Sequence, residues 1–415
     1  MTIVRRFPVG AELQASGGTH FRVWAPSRKS VEVAVADRHC PLQKDSDGYF
    51  SGYVERAKAG TEYKFRLDRA DSYPDPASRY QPEGPHGPSE IVDPHLYLWS
   101  DESWQGLPLQ GQVFYEMHIG TFTREGSWRA ATGQLRELAS LGVTVIEVMP
   151  AADFTGSFGW GYDGVNLYAP SHLYGRPDDM RAFVDRAHAL GLGVILDVVY
   201  NHFGSDGNYI GQYSRSYFSG RYKTDWGEAI SFDEPDSGPV REYFKANAAY
   251  WIDEFHLDGL RLDATQNVYD RWSPHILAEI TDQVRVAAKG RRTIVIAENE
   301  TQLVKLVRPR IAGGFGMDGL WNDDFHHSAL VALTGHNDAY YSDYKGTPQE
   351  FISAMKYGYL YQGQWYKWQK QCRGTSSRGV LPAAFITFIE NHDQIANSAT
   401  GQRVHQLTSP DCSGR

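Results

Sequence analysis

From Gln112 onward, apolar strand patterns and amphipathic helix patterns alternate along the chain. Short β-branched runs such as Val143–Val148 and Val194–Val199 are separated by segments with helical spacing such as Asp178–Leu190. Strands that are apolar on both faces and alternate with helices form parallel sheets, and eight such units close into a barrel of about 250 residues. The alternation therefore predicts an α/β fold, a (β/α)8-type TIM barrel, over residues 112–415.

Seven of the eight barrel strands can be placed individually. The predicted strands are Val113–His118, Val143–Val148, Val194–Val199, Gly259–Asp263, Thr293–Glu298, Gly319–Asn322 and Ala384–Glu390. No eighth strand and helix pattern follows, and the tail Gln402–Arg415 is polar. The last barrel unit is therefore predicted to be missing, and the chain is expected to be a fragment of a longer protein.

The amino-terminal part of the chain has a different pattern. Residues 1–95 contain short segments in which apolar and polar residues alternate, such as Thr19–Trp24 and Glu62–Leu67, separated by turn-rich pieces. This pattern predicts an all-β, immunoglobulin-like sandwich, followed by a linker over residues 96–111. Long insertions at 151–175 and 200–237 follow the second and third barrel strands, where loops shape the substrate site.

Four segments place carboxylates at or just beyond the ends of predicted barrel strands. They are Asp197–His202, Gly259–Asp263, Ile296–Glu298 and Ile389–Asp393. The carboxyl ends of barrel strands form the active-site face, so these acids are expected to converge there. A carboxylic acid and a carboxylate on either side of a sugar linkage are the groups that cleave glycosidic bonds, which makes a glycosidase the predicted class.

The residue types suggest different roles for these acids. Arg261 and Asp263 lie two residues apart on one strand and point to the same face, so the guanidinium is expected to keep Asp263 ionised as a nucleophile. Glu298 has no cation beside it in sequence, and a drier setting would favour a general acid. Asp393, next to His392, is suited to stabilise a cationic transition state. In each single segment, helix capping or a structural ion pair remains an open alternative.

Composition and charge limit the classes of binding partner. The net charge of -9 argues against nucleic acid and anionic membranes as partners, and no segment has the length of apolar residues that a membrane helix needs. Cys40, Cys372 and Cys412 lack metal-type or disulfide-type spacing, which favours reduced thiols and a cytoplasmic location. Aromatic residues make up 13% of the chain, which suits stacking on sugar rings but is also compatible with ordinary cores.

The four segments resemble the signature regions of the α-amylase superfamily, glycoside hydrolase family 13. The resemblance implies that Asp263 is the nucleophile, Glu298 the acid/base and Asp393 the transition-state stabiliser. It also implies substrate-binding or supporting roles, which fall on Tyr162, Asp197, His202, Arg261 and His392. The segment Phe21–Pro26 is similar to the amino-terminal sandwich of branching and debranching enzymes.

Several further stretches are similar to the malto-oligosyltrehalose trehalohydrolases of that family. They are Tyr115–Gly120, Phe158–Val165, Tyr200–Tyr209, Trp321–His327 and Glu390–Asn397. This resemblance implies a retaining α-glycosidase that hydrolyses the α-1,4 bond next to the terminal trehalose of maltooligosyltrehalose. Retention would require the two carboxyl groups to be about 5–5.5 Å apart.

Two alternatives remain open at this stage. A glucan branching enzyme or another α-amylase superfamily enzyme would use the same covalent intermediate on an α-glucan, and a non-catalytic glucan-binding protein would need only the sandwich. No cofactor and no metal are predicted, because Asn201 is a single ligand and calcium needs about 6–8 oxygen ligands. The oligomeric state is not predicted.

Overall fold

A computed structural model describes residues 3–398 and 401–408 of the chain. The chain divides into two compact units. The first contains the chain up to Leu107 together with Gln112–Arg261 and Asn267–Thr293. The second contains Pro108–Gly111, Leu262–Gln266 and the chain from Ile294 onward. Cys412, one of the three thiols considered above, lies outside the described residues.

The first unit begins with the predicted β-sandwich. Its strands are β1 (Gly10–Leu13), β2 (Thr19–Trp24), β3 (Val31–Val35), β4 (Arg38–Pro41), β5 (Gln43–Lys44), β6 (Tyr49–Val54), β7 (Glu62–Leu67), β8 (Ser72–Tyr73) and β9 (Ser89–Glu90). One sheet has the order β1-β2-β6-β5 and the other β4-β3-β7-β8, with β9 also pairing with β7. The alternating residues face inward, so that Phe21, Val33 and Phe65 are completely buried in the sandwich core.

The same unit continues into the strand and helix repeats. Its further elements are β10 (Phe114–Met117), α1 (Ile119–Phe122), α2 (Trp128–Ser140), β11 (Val145–Val148), β12 (Ala152–Asp153), β13 (Asn166–Pro170), α3 (Pro177–Ala189), β14 (Gly193–Val198), α4 (Ile210–Tyr213), β15 (Phe218–Thr224), β16 (Gly227–Ile230), α5 (Ser237–Glu254), β17 (Gly259–Leu262) and α6 (Ile276–Ala287). Strands β10, β11 and β14 pair in parallel, and β17 is the next neighbour of β14. Every residue of β11, β14 and β17 is buried, as expected for strands covered on both faces.

The second unit holds three parallel strands and a cluster of tyrosines. Its elements are β18 (Ile294–Ala297), β19 (Gly319–Trp321), α7 (Asp323–Thr334), α8 (Pro348–Tyr357), β20 (Gln364–Tyr366), β21 (Gln371–Arg373), β22 (Phe385–Ile386), α9 (His392–Ala396) and α10 (Val404–Leu407). Strand β18 pairs with β19 and β19 with β22, both in parallel. Val331, Tyr341, Tyr344 and Tyr366 form a small core beside α7.

The predicted strands agree with the observed ones except in the length of the seventh. The sequence pattern predicts this strand over Ala384–Glu390, but it extends only over Phe385–Ile386. A single 3-10 turn at Pro382–Ala384 precedes it, and beyond it the Phe388 ring turns aside to stack on His326. Both insertions contain small antiparallel pairs, β12 with β13 and β15 with β16. Within residues 3–398 and 401–408, no parallel strand follows β22, and no helix is long and apolar enough to cross a membrane.

Candidate active site

In the first unit, two of the predicted site residues, Tyr162 and Arg261, contact a third, Asp197. Asp197 lies on β14 and Arg261 on the neighbouring β17, while Tyr162 comes from the insertion after β11. Arg261 Nη1 donates to Asp197 Oδ1 at 2.9 Å and to Oδ2 at 2.8 Å. The Tyr162 hydroxyl donates to Asp197 Oδ2 at 2.6 Å. Asp197 is therefore an ionised acceptor that orients an arginine and a tyrosine.

This ion pair is buried. Arg261 is completely buried and Asp197 is 1% exposed, so each charge depends on the other for compensation. The glycine before Tyr162 fixes the position of the tyrosine, because Gly161 has φ +94° and a Cβ there would lie 2.0 Å from the carbonyl oxygen of Pro150. Tyr162 thus follows a backbone position that is tightly packed on Pro150, and its hydroxyl is held by a hydrogen bond to Asp197.

Glu147 belongs to the same cluster, although the sequence motifs do not include it. It lies on β11 directly beside Glu116 of β10, and its Oε1 is 4.0 Å from Nε of Arg261. Burial raises the pKa of Glu147 well above its usual range, Arg261 opposes this shift, and Glu116 and Asp197 add to it. The signal in the sequence that could have identified it is an acid in the middle of the otherwise apolar run Val145–Val148.

His202 lies in the loop after β14, where it contacts Asn201 and Trp226. Its Nδ1 contacts Oδ1 of Asn201, and its ring stacks on Trp226 at 5.1 Å with an interplanar angle of 18°. Trp226 is in the turn between β15 and β16 and is 53% exposed. A half-exposed indole over a buried imidazole provides an apolar face next to a polar one, the combination that sugar rings require. Trp226 is not among the residues predicted for the site, because it is distant in sequence from the motif.

In the second unit, Asp263 and Glu298 come from adjacent backbone segments. Glu298 N donates to the carbonyl oxygen of Leu262 at 3.0 Å, and Thr265 N donates to the carbonyl oxygen of Glu298 at 3.0 Å. In addition, Ala264 N donates to the Glu298 side chain, at 3.0 Å from Oε2. Both chain neighbours of Asp263 are therefore bonded to Glu298, one through the backbone and one through the carboxyl group.

The backbone adopts a special conformation at this point. Ala264 has φ +39°, in the left-handed region that residues with a side chain rarely occupy. This turn directs the amide N–H of Ala264 toward Oε2 of Glu298. Strain of this kind persists only where surrounding interactions maintain it, and it concentrates at functional sites.

His392 and Asp393 lie together at the start of α9 in the second unit. The helix is capped by Asn391, whose side chain accepts from Gln394 N at 2.9 Å. His392 is 9% exposed, and its ring centroid is 6.4 Å from that of Trp321 at the end of β19. Asp393 is half-buried in the first turn of α9.

Asp323 is a second acid to which the sequence assigns no role. It begins α7 directly after β19, and its Oδ2 is 3.4 Å from Nη2 of the buried Arg373. Desolvation raises the pKa of Asp323 to about 7. Arg373 opposes this shift, and the negative charges of Asp324, Asp393 and Glu300 add to it. The segment Trp321–His327 stands out in the sequence only for its resemblance, since nothing there indicates how the environments of its two acids differ.

Metal binding is not indicated by geometry. Within residues 3–398 and 401–408, no three His, Cys, Asp or Glu side chains are arranged to hold a metal ion. The prediction that the protein needs no cofactor stays a prediction.

Two family models match the chain. Carbohydrate-binding module 48, the isoamylase N-terminal domain, matches residues 8–94, and the alpha amylase catalytic domain matches residues 100–234. Together they confirm the predicted fold class, an immunoglobulin-like sandwich followed by a TIM-type (β/α) barrel.

Curated relatives match over nearly the whole chain. A malto-oligosyltrehalose trehalohydrolase from Saccharolobus solfataricus is 41% identical over 403 residues, covering 97% of this chain and 70% of the relative. Another from Deinococcus radiodurans is 41% identical over 396 residues, covering 95% of this chain and 64% of the relative. A 1,4-alpha-glucan branching enzyme from Corynebacterium jeikeium is 28% identical, covering 91% of this chain and 59% of that enzyme. The chain thus spans about two thirds of the length of the curated relatives.

Solved structures support the α-amylase-type fold. A crystal structure of a candidate alpha amylase from Salmonella typhimurium superimposes with a TM-score of 0.92 at 42% identity, covering 98% of this chain and 69% of that one. A pullulanase from Anoxybacillus, solved with maltotetraose, superimposes with a TM-score of 0.71 at 18% identity, which supports the fold alone. The chain therefore belongs to the malto-oligosyltrehalose trehalohydrolase family of α-amylase-type glycoside hydrolases.

Proposed function

We propose that this protein hydrolyses the α-1,4-glucosidic bond next to the terminal trehalose of maltooligosyltrehalose, with retention of configuration, and releases trehalose. The observation that carries the proposal is the pairing of Asp263 with Glu298. Leu262 O and Ala264 N flank Asp263, and both bond to Glu298 at 3.0 Å. Retaining glycosidases need two carboxyl groups close together, at about 5–5.5 Å.

In this mechanism the two acids have different tasks. Asp263 attacks the anomeric carbon and forms the glycosyl-enzyme, while Glu298 protonates the departing glycosidic oxygen. Glu298 then removes a proton from water, which hydrolyses the intermediate and regenerates Asp263. Asp393, in the first turn of α9, faces the positive charge that develops on the sugar ring in the transition state.

The first unit supplies groups suited to sugar binding. The ring of Tyr162 is fixed by the bond from its hydroxyl to Asp197, and Asp197 also orients Arg261. His202 contributes an imidazole that stacks on the Trp226 ring. In this unit we assign substrate binding to Tyr162, His202 and Arg261, with Asp197 as their support, and in the second unit we assign it to His392.

The test is hydrolysis of maltooligosyltrehalose by the protein and by its Asp263→Asn and Glu298→Gln variants. Free trehalose is expected from the parent, with α-configuration in the first-formed glucan hemiacetal by proton NMR. Each substitution should lower kcat by roughly 100-fold or more, because each removes a group that acts on the reacting bond. Glu137→Gln, an exposed acid on α2, is the matched control and should leave kcat unchanged.

Three results would contradict this proposal. A β-configured first product would indicate inversion, and new α-1,6 branch points from amylose without trehalose release would indicate a branching enzyme. Glucan binding without turnover by the parent, unchanged in Asp263→Asn, would indicate a non-catalytic binding protein. A cytoplasmic location belongs to the same proposal, supported by the unpaired thiols of Cys40 and Cys372.

A further inference from the structure

Helix α9 is too short to hold its own position. It contains only the five residues His392–Ala396, and helices of this length are unstable without tertiary contacts. The Asn391 cap satisfies one amide at its start. The orientation of Asp393, in the first turn, must therefore depend on the residues that attach α9 to its surroundings.

One attachment is made by the residue after Asp393. Oε1 of Gln394 accepts hydrogen bonds from the hydroxyl of Tyr340 at 2.8 Å and from the hydroxyl of Tyr341 at 3.0 Å. An amide oxygen has two lone pairs and can accept both. The two phenol oxygens are 3.0 Å apart, but each carries one proton, so donating both to Gln394 leaves none for a bond between them.

The two tyrosines are themselves fixed. They are the last two residues of the single 3-10 turn Ala339–Tyr341, and Tyr341 is only 7% exposed. The ring of His327 packs against both, at 5.2 Å from Tyr340 and 5.0 Å from Tyr341. Burial lowers the pKa of His327 well below its usual range, so this ring is neutral. The Tyr366 hydroxyl also donates to the backbone oxygen of Tyr340, at 2.7 Å.

We propose that Tyr340 and Tyr341 are positioning residues, which act through Gln394 to hold Asp393 in its working orientation. This inference rests on the proposed role of Asp393 in stabilising the transition state. Neither tyrosine needs to touch the substrate. Because a transition-state interaction affects the chemical step and not ground-state binding, loss of the two bonds lowers kcat and leaves KM nearly unchanged.

The experiment compares phenylalanine variants in hydrolysis of maltooligosyltrehalose. The Tyr340→Phe/Tyr341→Phe double variant is expected to lower kcat by roughly 10- to 100-fold, as misplacement of a reacting group does, with KM within about twofold. Tyr344→Phe is the matched control, since the hydroxyl of this fully buried tyrosine donates to Asp324 Oδ1 at 2.7 Å and not to Gln394. Gln394→Met removes the acceptor while keeping both tyrosines and should reproduce the loss of kcat.

A coupling measurement separates positioning from general loss of structure. The tyrosine double substitution is introduced into an Asp393→Ala background, and activity is followed with an activated α-glucosyl fluoride. No further decrease there supports the inference, because the tyrosines would then act only through Asp393. A fully additive decrease, or an unchanged kcat in the double variant with Asp393 present, overturns it. An Asp393→Ala protein with unchanged kcat would overturn the proposed role of Asp393 instead.

Discussion

The two ends of strand β17 carry buried charges in very different surroundings. Asp258, which precedes the strand, and Arg261, near its end, are both completely buried. Asp258 Oδ2 accepts from His188 Nε2 at 2.9 Å and from Val194 N at 2.8 Å, and Oδ1 accepts from Trp104 Nε1 at 2.6 Å. His188 in turn reaches a second carboxylate, Asp101, at 2.8 Å. At this end both oxygens of Asp258 have partners.

At the carboxyl end of β17, the buried charges are less completely paired. Arg261 neutralises Asp197, but Glu147 lies 4.0 Å from the same guanidinium and has a strongly raised pKa. Among the residues that the structure describes, none donates a hydrogen bond to Glu147 Oε1. The carboxylates at the amino end of β17 are therefore paired with a histidine, whereas Glu147, the acid with a strongly raised pKa, lies at the carboxyl end, the face on which a barrel carries its active site.

The largest expected effect comes from removing the guanidinium at the carboxyl end. Arg261→Met leaves Asp197 buried without its cation, so the free energy of unfolding should fall by about 3–5 kcal/mol. It also removes the cation that holds Asp197, the residue to which the Tyr162 hydroxyl donates, so kcat/KM for maltooligosyltrehalose should fall by at least roughly 100-fold. Chemical denaturation and initial rates measure both quantities. A variant that loses stability but retains its rate would show that this end, too, is only structural.

At the amino end of β17, a substitution should lower the free energy of unfolding without lowering the rate of hydrolysis. His188→Leu leaves Asp101 and Asp258 buried without their shared imidazole, which should lower the free energy of unfolding by about 3 kcal/mol. The rate at permissive temperature should remain within about twofold, because no proposed substrate contact is involved. His86→Leu is the control: His86 Nε2 is 3.5 Å from Asp206 on the surface, and its loss should cost less than about 0.5 kcal/mol. Equal losses in both variants would contradict the comparison.

The same histidine predicts a pH dependence of stability. Burial lowers the pKa of His188, but the bonds to Asp101 and Asp258 outweigh this and raise it above its ordinary value. The protonated imidazole therefore stabilises the fold fully below about pH 6.5, the ordinary pKa of histidine, and this contribution is lost as pH rises through the higher pKa of the folded state. Denaturation between about pH 6 and 9 should show this decline in the parent and a flatter profile in His188→Leu. Parallel profiles would argue that His188 is neutral when folded.

A feature could be predicted from the sequence when it depends on residues close together in the chain. Strand positions and the acids at their ends depend on local patterns, so Asp197, Asp263 and Glu298 could be selected from single segments. Contacts between residues far apart in sequence have no local signal: the Tyr340–Gln394 bond joins residues 54 positions apart, and Trp226 reaches His202 from the far part of the same insertion. The raised pKa of Asp323 could not be predicted for the same reason, since its surroundings and neighbouring charges set it, whereas Glu147 has a local signal as an acid within an apolar strand.

The smallest expected effect tests a single bond at the carboxyl end. Tyr162→Phe keeps the ring but removes the 2.6 Å hydrogen bond to the charged Asp197, which should lower the free energy of unfolding by about 1.5 kcal/mol. Tyr200→Phe is matched in distance, since its buried hydroxyl donates to the neutral oxygen of Asn247 at 2.6 Å, and should cost about 1 kcal/mol. The two variants should nevertheless differ in hydrolysis of maltooligosyltrehalose. Tyr162→Phe is expected to reduce kcat by up to about tenfold, because the ring is no longer held against Asp197, whereas Tyr200→Phe should leave kcat unchanged. If both lost stability and neither lost rate, the Asp197 cluster would be as purely structural as the Asp258 cluster at the other end of β17.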